Sequence, residues 1–256
     1  MHIESLGDGP PLVLLHGWGL HGGIYAPLLP ALAARHAVHV VDLPGHGRSA
    51  APAGPLDLGG VARELLRRLP GAIWIGWSLG GLVALEAAIE APHAVRAVAA
   101  IATSPRFVPG PGWPHGVAHA VFDEFGANLA RDWRGTVERF LALECLGSEG
   151  GRAELRALRA HVLDHGMPAV SALADGLRIL ADTDLRAELA ALALPVLWIG
   201  GARDRLVPAA AVEAAAALTP GSRCVIIPGG GHAPFVGRPA AVLDALLAWI
   251  AGLPRT

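Results

Sequence analysis

The chain of 256 residues lacks lysine and glutamine altogether, and it contains only two cysteines and one tyrosine. Arginine therefore supplies all 20 basic residues, which nearly balance 22 acidic ones for a formal net charge of −2. A chain this close to neutral carries no global basic field for nucleic acid and no polybasic segment for an anionic membrane. No apolar run approaches the ~18 residues of a membrane-spanning helix. We therefore predict a protein that binds neither nucleic acid nor a membrane.

The two cysteines, Cys145 and Cys224, form neither a metal-binding spacing nor a disulfide framework. Reduced, structural cysteines are the state expected in a cytoplasmic protein. The N-terminus has no charged segment followed by an apolar leader, because the apolar run at 12–15 is too short for one. We expect a cytoplasmic monomer with no metal site.

Short apolar runs alternate along the chain with helical patterns. The runs predicted as strands are 12–15, 38–41, 72–75, 95–101, 195–199 and 224–227. The segments predicted as helices between and after them are 25–35, 58–69, 79–90, 209–218 and 240–250. Continuous apolar strands separated by helices indicate a parallel sheet covered on both faces, which is an α/β fold of one large domain. The amino-terminal hairpin expected ahead of this pattern looks clipped, with only residues 2–6 before a Gly-Pro turn.

The alternation stops between about 106 and 182. A loop rich in proline and glycine at 105–116 is followed by helical patterns at 122–129, 136–146 and 152–163, with no strand between them. Such an insertion lies outside the layered core, and we predict that residues 106–182 form a lid over the carboxyl edge of the sheet. Residues 1–105 and 183–256 then form the core. A separately folded helical domain is the alternative.

The sequence Gly76-Trp77-Ser78-Leu79-Gly80 follows a predicted buried strand and precedes a predicted helix. This is the context of a nucleophile elbow, which lifts a serine hydroxyl clear of the sheet on a strained turn. A Cβ at either glycine would clash with the crossing chain. The alternative is an ordinary glycine-rich loop.

A serine hydroxyl is a weak nucleophile that needs a base, and the base needs an acid to orient it. His232 and Asp204 each follow a predicted strand and stand in the chain order serine, acid, histidine. Because strand ends meet at one edge of a parallel sheet, both can converge on Ser78. His16 also follows a strand, but it comes too early in that order. A turn-capping role is the alternative for Asp204.

Attack on a carbonyl creates an oxyanion that needs N–H donors already in place. Leu79, directly after the serine, offers one backbone N–H. Trp18, in the loop His16-Gly17-Trp18-Gly19 after the first buried strand, offers the other. The alternative for this loop is an ordinary tight turn.

With these residues in place, the chain resembles the α/β-hydrolases over nearly its whole length. More narrowly, it is similar to the pimeloyl-[acyl-carrier protein] methyl ester esterases of biotin synthesis. The stretches that carry the resemblance are LLHGWGL (14–20), VDLPGHGRS (41–49), IGWSLGGLVA (75–84), TVERFLAL (136–143) and GHAPF (231–235). The first, second, third and last contain elements shared by the whole superfamily. Trp18, Trp77 and the run TVERFLAL are particular to the esterase family.

The resemblance implies an α/β-hydrolase fold with Ser78, Asp204 and His232 as the catalytic triad and Trp18 and Leu79 at the oxyanion. These residues apart from Asp204 would also contact the substrate. The resemblance further implies that five consecutive residues line the acyl chain beneath the lid: Phe140, Leu141, Ala142, Leu143 and Glu144. No metal or organic cofactor is needed for this chemistry.

In that family, lid arginines hold the acidic acyl carrier protein. Matching positions here are Arg139, Arg152 and Arg156, whereas Gly135 stands where relatives often have another arginine. Arg152, Arg156 and Arg159 also share one stripe of a predicted helix, to which a carboxylate-rich partner could pair. The alternative is a solvated face neutralised by Glu149 and Glu154. Gly150-Gly151 interrupts the helical pattern just before the stripe.

The expected function is that of a serine carboxylesterase that hydrolyses the methyl ester of pimeloyl-[acyl-carrier protein] in biotin biosynthesis. A general short-chain carboxylesterase, a thioesterase or a carbon–carbon hydrolase with the same triad is the nearest alternative. A non-catalytic ligand-binding protein of this fold is a third. Dehalogenases and epoxide hydrolases need an aspartate at the position of Ser78.

Overall fold

A computed structural model describes residues 1–162 and 164–254 of the chain. The last residue of the helix predicted at 152–163 and the last two residues of the predicted core therefore lie outside the described residues.

Within the described residues, seven strands form one sheet in the order β1-β3-β2-β4-β5-β6-β7. Their bounds are β1 His2–Leu6, β2 Pro11–Leu15, β3 Ala37–Asp42, β4 Ala72–Trp77, β5 Val95–Ile101, β6 Val196–Gly201 and β7 Arg223–Ile227. All neighbouring strands are parallel except β1, which runs antiparallel to β3. Every residue of β4 and β6 is buried, as expected for strands covered on both faces.

The strands alternate with helices. The bounds of these are α1 Leu29–Ala33, α2 Leu58–Arg68, α3 Leu79–Glu90, α4 His119–Leu129, α5 Trp133–Glu144, α6 Gly151–His161, α7 Val170–Asp182, α8 Arg186–Leu189, α9 Ala209–Leu218, α10 Pro234–Gly237 and α11 Pro239–Ala251. None of the helices that the structure describes has the length and apolar character needed to cross a membrane.

Two local predictions were wrong. The helix predicted at 25–35 is a 3₁₀ turn at Gly22–Tyr25 followed by the five-residue α1, because Pro27 and Pro30 interrupt the helical hydrogen bonds. The predicted amino-terminal hairpin does not form, because both edges of β2 are occupied by β3 and β4. β1 pairs instead with the free edge of β3.

The segment between β5 and β6 contains α4, α5, α6 and α7, which lie within the predicted insertion, and then the short α8. No strand separates these four helices in the described part of the segment. They contact one another, and α7 also contacts α3, the helix that begins directly after Ser78. The indole Nε1–H of Trp18 donates to the carbonyl of Leu173 on α7 at 2.8 Å. The insertion therefore lies over the loop that follows β2, at the carboxyl edge of the sheet.

Candidate active site

Ser78 occupies the turn between β4 and α3 with a φ of +53°, a conformation that is strained for any residue with a Cβ. A Cβ on Gly76 would lie 2.2 Å from the carbonyl oxygen of Gly80, and one on Gly80 would lie 2.2 Å from that of Leu15. The predicted steric need for both glycines is therefore confirmed. The hydroxyl of Thr103, just after β5, donates to the Ser78 carbonyl at 2.8 Å and supports the turn.

Three buried side chains from the ends of different strands form a hydrogen-bonded line. The Nε2 atom of His232 lies 2.9 Å from the Oγ atom of Ser78, and Nδ1 lies 2.8 Å from an oxygen of Asp204. The other oxygen of Asp204 accepts the backbone N–H groups of Leu206 and Val207. Because a carboxylate only accepts, Nδ1 carries the imidazole proton and Nε2 is free to accept the proton of Ser78.

Two buried groups at this line have shifted pKa values. Burial acts to lower the pKa of His232, but the charge and the hydrogen bond of Asp204 hold that pKa above its usual value. Burial raises the pKa of Glu144 to about 8, against the opposing influence of His232 and with a further contribution from Asp204. At neutral pH the Glu144 carboxyl is therefore mostly protonated.

His16, the competing base, has a structural role. Its Nε2 atom accepts the N–H of Leu43 at 2.9 Å, and its Nδ1–H donates to the carbonyl of Gly17 at 2.7 Å. Both ring nitrogens are thus occupied, and burial lowers the pKa of this histidine to about 3. His16 therefore stays neutral and connects the loop after β2 to the loop after β3.

The two predicted oxyanion donors belong to the elbow and to the loop that crosses it, since a Cβ on Gly80 would lie 2.6 Å from the carbonyl oxygen of His16. Leu79 is the first residue of α3, where the backbone N–H has no carbonyl within its own helix. Trp18 follows β2 in a buried loop, and no acceptor for its backbone N–H is found among the described residues. The close fit of α7 fixes the Trp18 side chain, since a Cβ on Gly176 would lie 2.7 Å from the indole ring.

The five residues predicted to line the acyl chain lie on α5 and do not share one face. Phe140, Leu141 and Glu144 are buried, and the Phe140 ring packs 4.6 Å from that of Trp18, centroid to centroid. Leu143 is half-buried, and Ala142 is exposed. Successive residues on a helix turn by roughly 100°, so five in a row cannot all face the serine. The structure brings Phe140 and Glu144 to the site and leaves Ala142 outside it.

The site is closed. Ser78, His232 and Trp18 each have 0% of their surface exposed. Phe140 of α5 and Gly176 of α7 pack against Trp18, and the backbone N–H of His232 donates to the carbonyl of Glu144 at 3.2 Å, at the end of α5. In this structure Ser78 therefore has no contact with solvent.

Two of the arginines considered in the sequence already have acidic neighbours. Arg139 lies 3.6 Å from Asp132, the N-cap residue of α5, and Arg159 pairs with Glu138. Glu154, one of the acids considered as neutralising the stripe, is buried. Among the described residues, the stripe of α6 has an acidic partner at Arg159 and none at Arg152 or Arg156.

Arg152 and Arg156 are exposed, and neither forms an ion pair with any residue that the structure describes. Glu149, the other acid considered as their partner, pairs instead with Arg203 and Arg238. With Ala142 and Leu146, the two arginines line an open surface groove between α5 and α6.

Sequence reasoning missed two features of the histidine loop. Trp77, the residue before the serine, donates its indole N–H to the carbonyl of His232 at 2.8 Å. Glu149 accepts hydrogen bonds from Arg203 and Arg238, which follow β6 and the histidine loop. The sequence shows that a tryptophan precedes the serine. It carries no local pattern that indicates the contact of Trp77 with His232 or those of Glu149 with the two arginines, because these residues are far apart in the chain.

One group of possible metal ligands occurs within the described residues, at His21, His161 and Asp164. The Nδ1 atom of His21 accepts the N–H of Gly23 at 3.1 Å, which leaves the ring proton on Nε2. A metal at Nε2 would have to displace that proton, so this group is a poor fit for a metal. The expected absence of a metal from the protein stays a prediction.

The fold, the elbow and the order of the three side chains define a class of protein. Over residues 10–239 the chain matches the sequence model of a family described as alpha/beta hydrolase fold. The chain therefore belongs to the α/β-hydrolase family, as predicted. An esterase from Exiguobacterium antarcticum has the same fold, with a TM-score of 0.89 at 22% identity over 98% of this chain and 95% of the esterase.

Curated relatives are far more similar. The chain is 55% identical over 254 residues to a protein of Xanthomonas campestris pv. campestris (strain B100) named pimeloyl-[acyl-carrier protein] methyl ester esterase, covering 99% of this chain and 100% of the relative. A protein of the same name from Stenotrophomonas maltophilia (strain R551-3) is 53% identical over 253 residues, covering 99% of this chain and 97% of the relative. The predicted resemblance to these esterases is confirmed.

Proposed function

We propose that the chain is a serine carboxylesterase that hydrolyses the methyl ester of pimeloyl-[acyl-carrier protein] in biotin biosynthesis, with Ser78, His232 and Asp204 as its triad. The observation that carries the chemistry is the buried line of hydrogen bonds from Ser78 through His232 to Asp204. The full-length identity to esterases of that name supports the substrate.

Acylation begins when Nε2 of His232 takes the hydroxyl proton and Oγ of Ser78 attacks the ester carbonyl. Asp204 stabilises the imidazolium that forms and keeps the ring in the productive tautomer. The tetrahedral intermediate collapses as His232 returns the proton to the methoxy oxygen, and methanol leaves. The acyl chain is then bound to Ser78 as an ester.

The oxyanion of each intermediate is proposed to accept the backbone N–H groups of Trp18 and Leu79. Both groups lack helical or strand partners, Leu79 directly follows the serine and the loop that contains Trp18 crosses the elbow at Gly80, which supports this role. Each such donor contributes roughly 3 kcal/mol to transition-state stabilisation. Water then attacks the acyl-enzyme with His232 as base, and no metal or organic cofactor takes part.

Residues 106–182 are proposed to act as a lid over this chemistry. The packing of Phe140 on Trp18 and the full burial of Ser78 support a cover that opens for the substrate. Phe140, Leu141 and Glu144 are the residues of α5 placed to contact the acyl group. Water exclusion in the closed state strengthens the interactions at the oxyanion.

The exposed pair Arg152 and Arg156 is proposed to bind the acidic carrier protein. Their lack of ion pairs in the described structure supports this role, because both guanidinium groups are available to carboxylates of a partner. Arg139 is proposed as a third contact. Its guanidinium group already lies 3.6 Å from the carboxylate of Asp132, which also competes for it. A carrier protein of fatty acyl groups implies a cytoplasmic location.

The function is tested by giving the purified protein the methyl ester of pimeloyl-[acyl-carrier protein] and a small nitrophenyl ester in parallel. We expect methanol release from the carrier-bound ester with the higher kcat/KM of the two. The gene is also expected to restore growth without biotin to a strain that lacks its own esterase. A strong preference for the nitrophenyl ester and no rescue would favour a general short-chain esterase instead.

Reversing the charge of the free pair, Arg152→Glu with Arg156→Glu, is expected to raise KM for the carrier-bound ester about tenfold. Two attractive contacts of modest size become repulsive, and a tenfold change corresponds to about 1.4 kcal/mol. Hydrolysis of the nitrophenyl ester should be unchanged, because both arginines lie on the outer face of α6. The matched control is Arg67→Glu with Arg68→Glu on α2. Equal KM values for this control and the arginine-pair variant would exclude the docking role.

A further inference from the structure

Glu144 is a buried carboxyl for which the proposed acyl-transfer steps assign no chemistry. The residue is 1% exposed, and neither of its carboxyl oxygens has a hydrogen-bond partner among the described residues. Buried polar atoms without partners are uncommon in native proteins. This carboxyl lies beside the proposed base, with Oε1 4.0 Å from Nε2 of His232.

The position of Glu144 is held by the backbone as well as by packing. The N–H of His232 donates to the Glu144 carbonyl at 3.2 Å, so the end of α5 and the histidine loop are joined at this point. Neighbours of Glu144 on α5 are buried too, which leaves the carboxyl few other orientations. In the structure the carboxyl lies on the side of the imidazole.

The distance between the two groups suits one bridging oxygen atom. A hydrogen bond to oxygen is about 2.8 Å long, and two such bonds can span the 4.0 Å between Nε2 and Oε1 with a bend at the shared atom. In the free enzyme Ser78 Oγ is the partner of Nε2 at 2.9 Å. Once Ser78 is acylated, its oxygen has no proton to donate and Nε2 can accept one from water.

We propose that Glu144 orients the water that hydrolyses the acyl-enzyme, accepting one of its hydrogens while His232 accepts the other. This proposal rests on the serine esterase function proposed above. It makes Glu144 a catalytic residue of the second half-reaction, since its carboxyl touches the attacking water.

In this step the water oxygen forms a bond to the acyl carbon as one water proton moves to Nε2 of His232. The second hydrogen stays on the water oxygen, in a hydrogen bond to Glu144. When the intermediate collapses, the bond from the acyl carbon to Ser78 Oγ breaks and His232 returns its proton to Oγ. The products are a carboxylic acid and the free enzyme, and Glu144 ends the step unchanged.

Methanol can replace water as the nucleophile that attacks the acyl-enzyme, and the two nucleophiles differ in their ability to donate a hydrogen bond to Glu144. Its single hydroxyl proton goes to His232, and a methyl group stands where water has its second hydrogen. A methyl group donates no hydrogen bond to Glu144, so the carboxyl assists water but not methanol. The partition of the acyl-enzyme between hydrolysis and methanolysis therefore measures the contribution of Glu144 directly.

The experiment uses a nitrophenyl butyrate in buffer with added methanol, and it measures the ratio of butyric acid to methyl butyrate formed. Glu144→Leu is expected to lower this ratio about tenfold, because one hydrogen bond to the transition state is lost. Glu144→Gln should keep the wild-type ratio, since its amide oxygen also accepts a hydrogen bond. Glu138→Leu, the same replacement earlier on α5, is the matched control and should leave the ratio unchanged.

An unchanged ratio in Glu144→Leu would overturn the proposal, and so would an equal fall in Glu144→Gln. Thermal unfolding identifies a misfolded variant, in which case Glu144→Met provides a second apolar side chain of similar length. Absence of any acyl-enzyme in the wild-type protein would instead refute the serine esterase function. Failure of the Glu144 proposal can thus be distinguished from failure of the serine esterase function.

Discussion

Replacing Ser78 with alanine is expected to lower kcat/KM for ester hydrolysis by about 10⁵-fold or more, close to the background rate. The change removes the nucleophile, and the effects of losing a member of a catalytic unit are of this size. The residual rate comes from carbonyl binding and from the N–H donors of Trp18 and Leu79. The measurement is steady-state kinetics on the nitrophenyl and carrier-bound esters, together with labelling by a fluorophosphonate.

The variant is expected to fold normally. Alanine carries the same Cβ as serine, so the strain at a φ of +53° is unchanged. The loss of the hydrogen bond to Nε2 is expected to cost about 1 kcal/mol of unfolding free energy. Ser222→Ala is the control, because its hydroxyl donates to the carbonyl of Ala216, outside the site. Substantial turnover or fluorophosphonate labelling in Ser78→Ala would show that another residue is the nucleophile.

Replacing Asp204 with asparagine is expected to lower kcat about 10⁴-fold, the second largest effect. An amide presents an NH₂ group toward Nδ1 of His232, which then becomes the acceptor and leaves the ring proton on Nε2. That tautomer cannot take the proton of Ser78. The amide oxygen can still accept the N–H groups of Leu206 and Val207, so the loop should keep its conformation.

The measurements for Asp204→Asn are kcat over a range of pH and the tautomer of His232 by nitrogen NMR. The control is Asp244→Asn, an exposed residue on α11 whose change should leave both unaffected. A variant that retained kcat within tenfold of the wild type, or kept the proton on Nδ1, would remove Asp204 from the role of orienting acid.

Both large effects concern residues that local sequence patterns indicate. The sequence predicts the elbow because glycine is required where two parts of the backbone come close together, as the contacts of Gly76 and Gly80 confirm. The sequence predicts the strands because both faces of the sheet are covered, so that the strands are continuously apolar. β5 and α3 have the predicted bounds. The same patterns failed at 25–35, where two prolines outweighed the helical periodicity.

Other properties of the site depend on how distant segments pack. His16 and His232 both follow buried strands. Chain order favours His232, but only the fold shows that backbone groups occupy both ring nitrogens of His16 while Nε2 of His232 meets the Ser78 hydroxyl. The orientation of α5 decides which of its residues face Ser78, and it leaves Ala142 outside. The pairing of Glu149 with Arg203 and Arg238 leaves Arg152 and Arg156 without those acidic neighbours.

By itself, the sequence determined the α/β class, the strained turn at Ser78 and the chain order of serine, acid and histidine, because each depends on local sterics or on apolar periodicity. The tertiary structure alone decided that backbone groups occupy both ring nitrogens of His16, which face of α5 meets His232 and that the Glu144 carboxyl lies 4.0 Å from the ring of His232. Those outcomes depend on burial and distance between segments remote in the chain, for which a linear pattern carries no signal.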